Sequence, residues 1–200
     1  MKKKLWVFVS LVLIAMFAMT GAVSASDLKI GIVCSAAGQN DNGYNQSAIE
    51  GAKQVSEELG IDYKVIDATS DVPAALETLA EDGYNLIFSL EYDFEALIKG
   101  VGGNKPIAEQ YPDTTFVVFN DNPNVDENGN VIHKNVISVL FDVHEASFVA
   151  GALSVLVNEN NAVLFGEGYH FTDPAKARAI GFIGGTNSNG ITVFSYGFIQ

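Results

Sequence analysis

The chain has 200 residues, with 11 Lys+Arg against 24 Asp+Glu and a formal net charge of −13. A chain this acidic repels phosphate backbones and anionic membrane surfaces, which excludes nucleic acid as a partner and leaves any membrane contact to the N-terminal segment. A hydrophobic fraction of 48% belongs to a packed domain rather than a disordered one, and the single cysteine, Cys34, excludes an internal disulfide and a thiolate metal cage.

In chain order, a leader comes first. Lys2, Lys3 and Lys4 form a positive start, residues 5–19 are continuously apolar, and the stretch 20–25 places small residues for cleavage after Ala25. This is the pattern of a secretory signal peptide over residues 1–25. The uncharged run, about 21 residues, would also span a bilayer if left uncut, with the lysines inside and the domain outside. Either way the folded part is exported, to the periplasm or the outer face of the plasma membrane.

Beyond the leader, apolar strands alternate with amphipathic helices. Residues 28–34 read as a buried strand and 35–43 as a Gly/Asn/Asp loop. A helix over 44–59, with apolar positions at Ala48, Ala52, Val55 and Leu59, is closed by Gly60. A strand follows at 63–66. Ser70 or Asp71 caps a helix through Leu79, with Pro73 in its first turn. The remaining expected elements are a strand at 86–88, a helix at 92–99 ended by Gly100, a strand at 115–119, a polar loop at 120–134, a strand at 136–140, a helix at 146–157 and a last strand at 179–183. The sequence closes on an amphipathic segment, 191–200, with no cap, and so reads as a fragment of a longer chain.

This alternation predicts an α/β fold, a Rossmann-like parallel sheet with helices on both faces. Ligands of such sheets bind at the carboxyl ends of the strands. Those ends carry the stretches 35–45, 89–92, 120–121 and 184–187, all rich in Asn, Asp, Ser, Gly or Tyr.

Chemistry other than binding finds little support. No His follows Cys34 in its loop, so a packed small hydrophobe is the reading for that thiol. The run from Asn124 to Gly129 partly matches a calcium loop, but Asn135 stands at the twelfth position where Glu is needed, and a turn at Asn128-Gly129 explains it. His133, His144 and His170 have no metal-ligand spacing, and Gly181, Gly184, Gly185 and Gly190 do not form a dinucleotide fingerprint. No catalytic triad or nucleophile elbow is present, so no enzyme, cofactor or metal is expected.

The run Gly38-Gln39-Asn40-Asp41-Asn42-Gly43-Tyr44-Asn45-Gln46-Ser47-Ala48-Ile49-Glu50-Gly51 follows an apolar strand and opens a helix. It resembles the N-terminal signature of the basic membrane protein family, substrate-binding proteins of ABC transporters similar to the bacterial purine nucleoside receptor lipoproteins. Tyr111-Pro112-Asp113, Glu145-Ala146-Ser147-Phe148-Val149-Ala150-Gly151 and Gly181-Phe182-Ile183-Gly184-Gly185 match further family motifs in order, so the likeness runs from Leu28 to Gln200. It implies a two-lobed type 1 periplasmic binding protein, with residues 26–189 as the N-terminal ligand-binding lobe and 190–200 as the start of the second lobe.

Position by position, the resemblance implies that Tyr44 stacks on a base, that Asn40, Asp41 and Asn45 form the polar turn beside it, and that the Gly185 backbone approaches the ligand. Ser35 stands where the family has a ligand-bonding Asp. Asn120 stands where an Asp holds ribose hydroxyls, and the adjacent Asp121 can substitute. Asn42-Gly43 replaces Lys-Ser, and the stretch 158–176 contains an insertion. The resemblance implies an importer's binding protein that takes a nucleoside or similar small polar solute and docks on an ABC permease. The alternatives are a membrane-tethered ligand sensor and a binding protein for a sugar-like solute. Tyr44 as a core residue is the plainer reading of that ring.

Overall fold

The computed structural model describes residues 27–67, 71–166, 168, 179–185 and 187–200. The leader, Ser70, His170 and part of the expected insertion lie outside the described residues. The elements are β1 (Lys29–Cys34), α1 (Tyr44–Leu59), β2 (Asp62–Asp67), α2 (Val72–Glu81), β3 (Leu86–Ser89), α3 (Glu95–Ile98), α4 (Ile107–Gln110), β4 (Thr115–Phe119), β5 (Val136–Val139), α5 (Val143–Glu159), α6 (Asn161–Phe165) and α7 (Asn189–Ile199). The strands form one sheet in the order β2-β1-β3-β4-β5, and every pairing is parallel.

Local chemistry sets the ends of the elements. Gly60 takes the left-handed conformation, φ 69°, and returns its N–H to the Ser56 carbonyl, which stops α1. Asp71 accepts the Ala74 N–H at 3.0 Å and Pro73 lies in the first turn, which starts α2.

The pleat of the sheet feeds two apolar layers. On one face Val33, Ile87, Phe116 and Val118 meet Leu76 and Leu79 of α2 and Leu97 of α3. On the other, Ile30, Ile32 and Cys34 meet Ala52 of α1, with Phe88 and Phe119 packed alongside. Right-handed crossovers account for the division, because the step from β1 to β2 runs opposite to the later steps across the sheet. At Gly31 the chains come close: an added Cβ would lie 2.8 Å from Leu79 Cδ1.

Four expectations need correction. The helix at 92–99 shrinks to one turn, α3, because residues 91–94 are drawn into the rim. A second single turn, α4, had no sequence signal at that length. Residues 179–183 have a strand-like composition but no strand beside them, and they lie in exposed, non-strand conformation. Finally, α5 packs chiefly against α7, not the sheet. Ser147 Oγ donates to the Phe194 carbonyl at 2.6 Å, and Gly151 and Gly197 let the two backbones approach. The expected division at residue 189 therefore separates two helices that pack together. Among the described residues no helix is long and apolar enough to cross a membrane.

The polar loop at 120–134 replaces a helix as the β4–β5 crossover, and a buried amide closes it. Asn124 Nδ2 donates to the His133 and Val136 carbonyls at 2.7 and 2.9 Å, and its Oδ1 accepts the His133 N–H at 2.8 Å. Within it, Asp126 accepts the N–H groups of Asn128 and Asn130, so the calcium-like stretch satisfies itself as a turn.

Candidate functional site

Strand order reverses between β1 and β3, and in open parallel sheets the crevice at such a switch point is where solutes bind. Three segments meet there: the β1–α1 loop, the turn after β3 and the end of β4.

In the β1–α1 loop, Asp41 accepts N–H groups from Gly43, Asn45 and Gln46 at 3.0, 3.0 and 3.1 Å. The Asn45 and then the Gln46 backbone bonds hold its carboxyl below the usual carboxylate range. Asn45 is fully buried. Its Oδ1 accepts the Ser35 N–H at 3.0 Å, and its Nδ2 donates to Ser35 Oγ and the Gly38 carbonyl, both at 2.9 Å. Asn45, expected beside the ligand, thus supports the loop from beneath. Ser35 Oγ spends an acceptor site on Asn45, which leaves its hydrogen to donate outward. Asn40 is exposed on the same loop.

Behind that loop stands Glu91. Its Oε2 accepts the Ala36 N–H at 2.9 Å and its Oε1 the Tyr92 N–H at 3.0 Å, which ties the β1 loop to the turn after β3. Gln39 Nε2 donates to Asp67 Oδ2 at 3.1 Å and anchors the loop's other side to β2.

Asn120, at the end of β4, takes a left-handed conformation with φ 55°, uncommon for a residue with a side chain. Its N–H donates to the Val139 carbonyl at 2.9 Å, while its Oδ1 is buried and has no hydrogen-bond partner. Asp121 Oδ1 accepts from Asn122 N–H at 2.8 Å and from Asn189 Nδ2 at 3.1 Å, so the start of α7 docks here. Gly190 makes this possible, since a Cβ there would lie 3.2 Å from the Tyr92 hydroxyl and 3.4 Å from Asn120 Cβ.

Tyr44 sits where the polar rim meets the apolar sheet face. Its ring meets Phe119 edge-on at 6.3 Å, and Phe119 stacks on Phe88 and Phe141, each at 6.1 Å. Burial, with Tyr92 and Glu91 nearby, holds the Tyr44 phenol above its ordinary range. These rings line an apolar cavity of about 460 Å³ between α1 and the sheet. Cys34, in the floor of the loop, is buried, and its thiol is pushed up to about 12 by desolvation and then by Asp67.

The switch point therefore gathers Ser35, Asn40, Asp41, Tyr44 and Asn45, with Asn120 and Asp121 two strands away, about 10 Å at the usual strand spacing. Gly185 does not join them. It is exposed and lines a separate cavity of about 530 Å³ with Phe182, Asn187 and Ile191. Glu91, Asn189 and Gly190 were not legible as rim residues. Their partners lie 55 or more positions away, and only Glu91, directly after an apolar strand, carried any hint.

The family model for PnrA-like ABC transporter substrate-binding proteins, Bmp, matches residues 29–200. The chain belongs to this family. It is 28% identical over 180 residues to the ABC transporter nucleoside-binding protein BmpA of Lactococcus lactis, covering 87% of this chain and 43% of that protein. It is 26% identical over 164 residues to basic membrane protein A1 of Borrelia garinii, covering 80% of this chain and 40% of the relative. The chain thus spans less than half the length of these relatives. Among solved structures, an ABC transporter solute-binding protein from Aeropyrum pernix superposes with a TM-score of 0.53 at 22% identity, over 70% of this chain and 35% of that one. That likeness bears out the fold.

Proposed function

We propose that this chain is the solute-gripping part of an extracytoplasmic binding protein that delivers a nucleoside, or a similar small polar solute, to an ABC importer. The observation that carries the reading is Asn120. A buried acceptor without a partner costs about 1–3 kcal/mol, and here it coincides with a left-handed backbone at the switch-point rim. A solute hydroxyl donating to Oδ1 would recover that cost. Asp121 adds an acceptor and Ser35 a donor, which suits a polyhydroxylated ring. Asn40 reaches a polar edge, while Asp41 and Asn45 keep the turn in shape. Tyr44 and Phe119 offer aromatic surface for a flat base, worth about 1–3 kcal/mol per stacked base.

The β1–β5 sheet is the first lobe in this reading. The α5–α7 pair, which packs on itself, begins the second, and Gly185 reaches the solute only on closure about the Asn120–Gly190 contact. Binding, delivery to a permease and release are the whole of the activity, and no bond in the solute changes.

The test is a thermal-shift screen of residues 26–200, beside a version extended to the gene's stop codon, against nucleosides, bases and sugars. Binding to the native state raises the melting temperature by linkage. A shift with nucleosides in the extended form supports the reading. A shift with sugars alone would retain the binding role and replace the substrate. Absence of any saturable shift in both forms would overturn it.

A further inference from the structure

In parallel α/β sheets the N–H groups of the first strand-to-helix loop and of the helix N-terminus form the usual seat for a phosphate. In this chain those groups are taken. Asp41 places its carboxylate on the N–H groups of Gly43, Asn45 and Gln46. Glu91 places another on the N–H groups of Ala36 and Tyr92, across the switch point. Asp71 does the same at the start of α2, on Ala74. No cation offsets this charge at the crevice: residues 35–45, 89–93 and 120–122 contain no Lys or Arg. The ion pairs among the described residues, Lys53–Glu57 and Lys64–Asp82, lie on α1 and between β2 and the end of α2.

We propose that the rim selects solutes without a phosphate or other anionic group, because Asp41 and Glu91 already fill the N–H seats that would hold it. This rests on the switch-point reading above and narrows its substrate class to uncharged or cationic solutes. An incoming phosphate meets seats already occupied and the repulsion of Asp41, Glu91 and Asp121. The repulsion, but not the occupancy, is screened by salt, since the Debye length falls from about 30 Å at 0.01 M to about 3 Å at 1 M.

The test compares inosine with inosine 5′-monophosphate on the extended protein, by calorimetric titration at low and high salt. The expected result is at least tenfold weaker binding of the monophosphate, with the gap narrowing but not closing in salt. Equal or tighter binding of the monophosphate overturns the inference and leaves the binding role intact. If neither compound binds, the nucleoside reading fails, and a second titration still decides the inference. Inorganic phosphate is added to the isotope-labelled protein while the amide resonances of Ala36, Gly43, Asn45, Gln46 and Tyr92 are followed. No saturable shift at these amides supports filled seats, and saturable shifts there refute them. Folded Asp41→Ala should narrow the inosine-to-monophosphate gap, and an unchanged gap counts against Asp41 as the group responsible.

Discussion

Replacing Asn45 by Ala removes the amide that holds the β1–α1 loop. Three hydrogen bonds go at once: one accepted from the Ser35 N–H, and two donated, to Ser35 Oγ and the Gly38 carbonyl. At about 0.5–1.5 kcal/mol net for each bond, the expected loss is about 3 kcal/mol. The partners are part-buried rather than exposed, so water replaces these bonds incompletely. For a domain of this size about 1 kcal/mol moves the melting temperature by about 2–4 °C, so the variant should melt about 6–12 °C lower. The assay is urea unfolding followed by far-ultraviolet circular dichroism, where the midpoint should fall with an unchanged slope. Asn45→Asp is a control with nearly the same shape. It sets an oxygen against the Gly38 carbonyl, so it should be at least as damaging at pH 7. If Asn45→Ala stayed within about 1 kcal/mol of the parent, the loop would not depend on this buried amide and the argument would fail.

Gly151→Ala and Gly197→Ala would each drive a Cβ into a backbone carbonyl across the α5–α7 contact, of Phe198 and His144 respectively. Either should release α7 to proteolysis while amide protection in β1, β3 and β4 is unchanged, and equal loss of protection in the sheet would show that the helices and sheet unfold as one unit. Cys34 should resist alkylation at pH 8 in the native state and react only in urea, and rapid native labelling would contradict its burial. Because the folded Cys34 thiol titrates near 12 rather than 9.0, the unfolded chain loses its proton first. Stability should therefore fall as pH rises above 9, and Cys34→Ala should flatten that fall. The Asp41 carboxyl is held below its ordinary 3.8, so its contribution is full above that value and disappears as pH drops through the lowered one. Acid unfolding of Asp41→Asn should then be less steep than that of the parent, and identical acid profiles would speak against the capping role.

How much was legible depended on whether the signal was local. The helix Tyr44–Leu59 and the strand Thr115–Phe119 are bounded as their residues predict, because Gly60 stops one and buried β-branched and aromatic residues define the other. The strand expected at 179–183 shows the limit. Its composition is right, but a strand exists only with a partner, and none of the described strands lies beside it. In the site, the segments and their polar character were readable from the strand ends, but the roles of individual side chains were not. Asn45 and Asn40 look alike in the sequence, yet one is fully buried and the other exposed. Tyr44 lies between its two readings, with its ring on Phe119 at the mouth of an apolar cavity. Glu91 drew no attention because its partner Ala36 comes from another strand's loop.

The most direct test of the central claim is to locate a bound solute. Inosine is titrated into the isotope-labelled extended protein and the amide resonances are followed. The account predicts that those of Ser35, Asn40, Tyr44, Asn120 and Asp121 shift together and saturate at one affinity. Saturable shifts confined to the cavity beside Gly185, or to the opposite edge of the sheet near Lys29 and Lys134, would contradict a switch-point site.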